Sequence, residues 1–249
     1  MGSVARSTLI LIATFLVVFS LNGQETCAEE VKLLLSPTQL QAAISDLGAR
    51  GETHSRVYFY DTPRLDLLAK GVILRLREGA GTDITVKFRP LSGEIVLDPS
   101  GSRARYKCEV DLVDGVKNQS FSVQKRYIAV KMPVSGEQFF QLLSEGQKKL
   151  LESSKAQIDW KRVKRIADIQ STSWTTRRQP PFGKLSLELW EWPSGSVLEV
   201  STKVAPDEGQ STYIELRDLA NKHGLVLSLS QRSKTAIALG QITAAHPQH

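Results

Sequence analysis

Several familiar chemistries lack the residues they need in this chain. It has only two cysteines in 249 residues, Cys27 and Cys108, so it is stabilised by a core and not by a disulfide scaffold. One bridge between the two is open; the simpler expectation is that Cys108 is a small buried residue on the apolar face of its strand. The four histidines, His54, His223, His246 and His249, have no ligand spacing, which removes Cys/His metal centres. There is no glycine-rich phosphate loop and no nucleophile elbow. Apart from one stretch at the N-terminus there is no long apolar run, and no internal repeat at a fixed period. The basic segment Lys161–Arg165 has no interleaved aromatics and reads as a solvated strand rather than a specific nucleic-acid surface.

The exception at the N-terminus is informative. Arg6 precedes an apolar run from Leu9 to Leu21, and polar residues follow. A positive start with a short apolar core is the pattern of a secretory signal, too short for a comfortable membrane span. Cleavage after Gly23 or after Ala28 fits the small residues there. A lipoprotein signal centred on Cys27 fits poorly, and an uncleaved anchor is the alternative. The expected organisation is a signal over 1–28, one domain over 29–240 and a disordered tail over 241–249. The mature protein is then exported, with no membrane span after processing.

What the chain does have is charge at alternate positions. In Val72–Glu78, Arg75 and Arg77 share one face, opposite Val72, Leu74 and Leu76. In Ile84–Arg89, Thr85, Lys87 and Arg89 face away from Ile84, Val86 and Phe88. Lys107, Glu109 and Asp111 alternate with Cys108, Val110 and Leu112, and Glu199, Ser201 and Lys203 with Leu198, Val200 and Thr202. At the start, Glu30 and Lys32 oppose Val31, Leu33 and Leu35. Successive strand side chains point to opposite faces, so each of these segments has one charged and one apolar face. The net charge of +6 favours an anionic partner, as a matter of steering rather than of site.

Between the strands lie helical patterns. Ser36–Gly48 carries an N-cap serine, Pro37 at the first helical position, Gln39 completing a capping box and a closing glycine. Thr62-Pro63 opens a short helix that Gly71 ends, Asp61 or Thr62 serving as cap. Ser135–Ser154 reads as one helix blemished by Gly146; Ser211–His223 is another, and Lys234 stands at the start of a short last one. Val123–Lys131 reads as a strand whose faces the sequence leaves unassigned. Lys184–Trp192 and Ser196–Val204 read as a hairpin through Pro193–Gly195.

Two architectures satisfy charged and apolar faces together. A sheet can expose its charges to water, or it can close into a barrel with helices on its apolar outside and charge turned inward. Inward charge of both signs needs water, counter-charges, metal or an anionic ligand. Basic groups in such a lumen hold phosphates; clustered carboxylates hold a hard divalent cation. A lipocalin-like carrier is the third possibility, but it needs an apolar lumen.

The order of segments resembles the CYTH family, the triphosphate tunnel metalloenzymes. The likeness runs from about Glu29 to Leu239 and rests on EVKLLLSPTQL, YFYDTPRLDLLAKGVILRLRE, ITVKF, KCEVDL, LEVSTKV and QRSKTAIAL. It implies an α+β fold: a closed eight-stranded antiparallel β-barrel, or tunnel, with helices packed outside. It implies a triphosphate or polyphosphate held by Lys32, Arg75, Arg77, Lys87, Lys107 and Lys234. It further implies Mg²⁺ or Mn²⁺ on Glu30, Glu109, Asp111 and Glu199, and hydrolysis of the bound triphosphate; Glu188 is a candidate partner for a lumen arginine. Three positions depart from the pattern: Ala28, Ser201 and Lys203 stand where the family carries acids. Glu29 cannot replace the first, because a one-residue shift turns it to the other face. Those departures raise the alternative of an exported, non-catalytic polyphosphate binder that has lost metal ligands.

Overall fold

The computed structural model describes residues 27–89, 107–177 and 181–245, and over them nine strands close into one barrel. The strands are β1 (Ala28–Leu35), β2 (Arg50–Asp61), β3 (Val72–Glu78), β4 (Thr82–Phe88), β5 (Lys107–Val113), β6 (Val116–Tyr127), β7 (Lys164–Thr175), β8 (Leu185–Trp192) and β9 (Gly195–Val204). Around the barrel the order is β1-β5-β6-β4-β3-β2-β7-β8-β9. The expected eight-stranded antiparallel barrel is thus corrected twice. There are nine strands, and the sheet is mixed: β1 pairs in parallel with β5 and antiparallel with β9. The sequence hides this because alternation gives a strand's faces but not its neighbour's direction.

The helices are α1 (Leu40–Asp46), α2 (Asp66–Ala69), α3 (Gly136–Leu142), α4 (Glu145–Ser153), α5 (Gly209–Lys222) and α6 (Lys234–Ala245). Two outer cores follow from the alternation. Val31, Leu33 and Leu35 of β1, with Leu185, Leu187, Leu198 and Val200, meet α1 and Tyr213 and Leu216 of α5. On the other side Leu74, Leu76, Ile84, Val86, Phe121 and Val123 meet Phe139 of α3 and Leu150 of α4.

The helix expected over Ser135–Ser154 is two helices. Leu143 is extended, and Ser144 caps α4 in a capping box with Gln147, whose buried amide also donates to the carbonyls of Ile84 and Val123. Ser36 makes no side-chain cap, and Gln39 donates to Gly224 O instead of closing a capping box. Pro37–Gln39 is a 3-10 turn ahead of α1. Asp61 holds the N-terminus of α2 through the amides of Leu67 and Leu68. Lys161 and Arg162 lie in a turn, and β7 begins only at Lys164. α6 runs to Ala245, into the stretch read as tail; residues 246–249, and 1–26 of the expected signal, lie outside the described residues.

Gly71 is required by its place in the wall. Its φ is +76°, and a Cβ there would lie 2.0 Å from the carbonyl oxygen of Arg89, while Gly71 O accepts the Arg89 amide at 2.8 Å. Only glycine permits that approach.

Cys27 and Cys108 are joined in a disulfide, overturning the expectation of a lone buried Cys108. The β1–β5 register sets Ala28 opposite Glu109, so the residue before each faces its counterpart. The parallel pairing that makes this possible was not legible in the sequence.

Candidate active site in the barrel lumen

The charged faces turn inward. They line a cavity of about 770 Å³ together with residues 231–236 ahead of and in α6. All ten expected site residues line it: Lys32, Arg75, Arg77, Lys87, Lys107 and Lys234 among the cations, Glu30, Glu109, Asp111 and Glu199 among the acids. Arg89, Lys203 and Arg232 join them, giving, among the described residues, nine Lys and Arg side chains against six Asp and Glu. The lining is therefore basic in balance, which suits an anionic ligand.

Part of the lumen is filled. Leu34, Val57, Phe59, Ile73, Ile169, Trp190 and Val197 are inner-face residues, and they pack with Ala238 and Leu239 of α6 into a third buried cluster. The inner face thus changes character along each strand: Leu34 to Lys32 to Glu30 on β1, Ile73 to Arg75 to Arg77 on β3, Val197 to Glu199 to Ser201 on β9.

Asp111 is the hub of the charged part. Its carboxylate, 1% exposed as a residue, accepts from Lys32 at 2.7 Å, Arg89 at 2.8 Å and Lys87 at 3.3 Å. Burial alone would raise its pKa, but these three cations hold it well below the usual carboxylate range. Lys32 also lies 3.2 Å from Glu30. Burial opposes its charge, yet Glu199, Asp111 and Glu30 together push its pKa up. Lys87 goes the other way: burial, with Arg89 and Lys32 close by, lowers it to about 8 in spite of Asp111.

Arg77 donates through Nε to Asp83 at 2.9 Å, and Arg75 to the hydroxyl of Thr85 at 3.1 Å. Asp83, buried on β4, was missed in the sequence, although it lies on the face of Thr85 and Lys87 two residues earlier. Among the described residues, two guanidinium groups keep a buried donor without an acceptor: Nε of Arg75 and Nε of Arg89. A buried N–H left unpaired costs roughly 1–3 kcal/mol, and an anion in the lumen would supply the missing acceptor.

Glu188 and Glu199 stand opposite each other on β8 and β9. Lys234, at the start of α6, binds Glu188 and lies 2.9 Å from Glu199. Glu188 also accepts from Ser171 Oγ and Trp190 Nε1, both at 2.7 Å. Burial raises its pKa, but Lys234 and these hydrogen bonds prevail and bring it down to about 2. Glu188 therefore partners a lumen lysine, where an arginine was the expectation.

The donor set does not fit the expected metal. Among the described residues no three Asp, Glu, His or Cys side chains converge as a metal-binding group. Each of the four expected ligands is engaged by a cation: Glu30 by Lys32, Asp111 by Lys32, Lys87 and Arg89, Glu199 by Lys234, Glu109 by Lys107 with Lys203 at 3.8 Å. Ser201, in one acid position, donates to Glu30 at 3.3 Å. Glu29 points outward as its register demands, accepting from Lys117 and from the Gly209 amide at the start of α5.

By sequence, no family model matches the chain and no curated protein matches it. By structure it has clear neighbours. One is a protein from Hippeastrum assigned as an adenylyl cyclase and described by a dominant triphosphatase activity. It has a TM-score of 0.60 and 17% identity, over 85% of this chain and 94% of that one. Another, from Bacillus halodurans and assigned as an adenylate cyclase, has a TM-score of 0.55 and 14% identity, over 84% and 96% of the two chains. These neighbours are CYTH-like adenylate cyclase and triphosphatase proteins. At such identities the likeness is one of fold, and at that level the resemblance read from the sequence is borne out.

Proposed function

We propose that this chain, which shares the fold of CYTH-like cyclase and triphosphatase structures, binds a triphosphate or short polyphosphate in its lumen and hydrolyses it. The observation that carries the reading is the pair of buried, acceptorless guanidinium N–H groups, Arg75 Nε and Arg89 Nε, in a cavity with surplus cations. Phosphate oxygens match a guanidinium fork in geometry and charge. Arg75, Lys87 and Arg89 bind the chain of phosphates, and Lys32 and Lys234 neutralise charge beside it. In hydrolysis a water oxygen forms a bond to the terminal phosphorus as the phosphoanhydride P–O bond breaks; negative charge grows on the leaving oxygen, and the proton of the water passes to solvent. Fixed cations around the leaving oxygen stabilise that charge without having to reorient. No step is assigned to Mg²⁺ or Mn²⁺, because the carboxylates that would hold either ion are already engaged.

A second reading has its own support. With every expected acid paired to lysine or arginine, and with Ser201 and Lys203 in acid positions, the lumen has little left to activate water. A binder that holds polyphosphate without cleaving it fits that arrangement. Phosphate release from tripolyphosphate, with and without Mg²⁺ or Mn²⁺, separates the two. Turnover that falls about 100-fold or more in Arg77→Ala and in Glu199→Gln supports the hydrolase. Saturable binding without turnover under any divalent metal supports the binder, and no binding at all sinks both.

Export belongs to the same proposal. The Cys27–Cys108 bridge suits an oxidising compartment, and it agrees with the signal-like N-terminus. No helix among the described residues is long and apolar enough to cross a membrane.

A further inference from the structure

Carboxylates on neighbouring strands meet at two places in the lumen. Glu30 is in register with Asp111 across β1 and β5, and Glu188 with Glu199 across β8 and β9. Like charges directly opposite on one face repel, and such a pair is what a hard divalent cation uses for anchorage. Here an ammonium stands at each pair. Lys32 lies 3.2 Å from Glu30 and 2.7 Å from Asp111; Lys234 binds both Glu188 and Glu199. Lys203, opposite Glu30 on β9, approaches Glu109, the last of the four expected metal ligands, at 3.8 Å.

We infer that Lys32, Lys234 and Lys203 are built-in counter-cations, so that the lumen takes a polyphosphate anion without any divalent metal. The inference deepens the proposed function and rests on it. An ammonium has three N–H groups, and Lys32 and Lys234 each have two carboxylate partners. One donor on Lys32 is left for a phosphate oxygen, while the Lys234 ammonium also lies over the Trp190 ring, 4.7 Å from its centroid, and meets the anion by its charge. The lysine thereby does two tasks often given to a metal, separating paired acids and meeting the substrate's charge.

The test is titration calorimetry of the full disulfide-linked protein with tripolyphosphate, in EDTA and in Mg²⁺. The expected result is affinity in EDTA equal to or tighter than in Mg²⁺, since free Mg²⁺ competes for the phosphates. Binding that requires Mg²⁺ or Mn²⁺, or is tenfold weaker in EDTA, overturns the inference and leaves the proposed function standing. Absence of binding in both buffers overturns the proposed function, and the inference with it. Mn²⁺ alone, followed by its electron paramagnetic resonance signal, is expected to stay free in the wild type; stoichiometric binding counts against the inference. Lys203→Glu, whose side chain is 60% exposed in the wild type and so leaves the fold intact, supplies the converse. It is expected to weaken metal-free binding about tenfold, or 1.4 kcal/mol, and to make tripolyphosphate binding improve with Mn²⁺. A variant with unchanged metal-free affinity refutes the role of Lys203.

Discussion

The two parts of the lumen are built by the same strands and held by different forces. Beneath α6, Phe59, Trp190, Leu34 and Ile73 exclude water and stabilise the barrel by apolar burial, as any core does. Toward the other end of β1 the inner face is charged, and its pairings roughly balance their own desolvation. There the wall is stapled instead, by the Cys27–Cys108 bridge next to the β1–β5 seam. The difference teaches where stability and function separate. Packing holds the filled part, and a covalent link lets the open part carry charge without having to earn its own stability.

That comparison can be broken or sharpened. Trp190→Ala, in the filled part, is expected to cost about 3–5 kcal/mol through lost burial and a cavity, read from denaturant midpoints; a cost below 1 kcal/mol would mean the cluster is not structural. Cys27→Ser with Cys108→Ser, in the open part, is expected to cost about 2–4 kcal/mol, since the bridge closes a long loop in the unfolded chain. Tripolyphosphate affinity should change little in that variant above its folding requirement. A large loss of affinity with small loss of stability would show that the staple shapes the site rather than supporting it.

The third test lies on the boundary between the parts. Glu188 has a lowered folded-state pKa, so its stabilising contribution is complete above about pH 4.5 and is lost as the pH falls toward about 2. On the order of 2 kcal/mol is at stake once partial solvent access is allowed for. Glu188→Gln should therefore be less stable than the wild type at pH 7, with the gap closing between pH 4.5 and 2. A gap independent of pH would assign the loss to packing around Trp190 and not to the Lys234 pair.

Much of the lumen was legible because strand alternation is local information. Arg75, Arg77, Lys87, Glu109 and Asp111 declare their face by position alone. Two things were not local. The parallel β1–β5 pair, and with it the disulfide, depends on which strands become neighbours. The cancellation of Asp111 by three cations depends on Lys32 from β1, the strand beside β5, and on Lys87 and Arg89 from β4 and the residue after it, two strands away. The change from Ile73 to Arg75, or from Leu34 to Lys32, was written in the sequence, but its meaning appears only once several strands show it at the same level. Asp83 and Lys203 sat on faces already assigned; what they bind required the register.

Gly71 shows how finely one lumen cation is placed. Arg89 is anchored at its backbone by a hydrogen bond to a residue with no side chain, and the two chains touch so closely that even a methyl group would push them apart. The reach of that guanidinium toward Asp111 is thus gauged by a bare spot in the adjacent strand's approach. The smallest residue in the wall sets the position of one of the largest groups in the cavity.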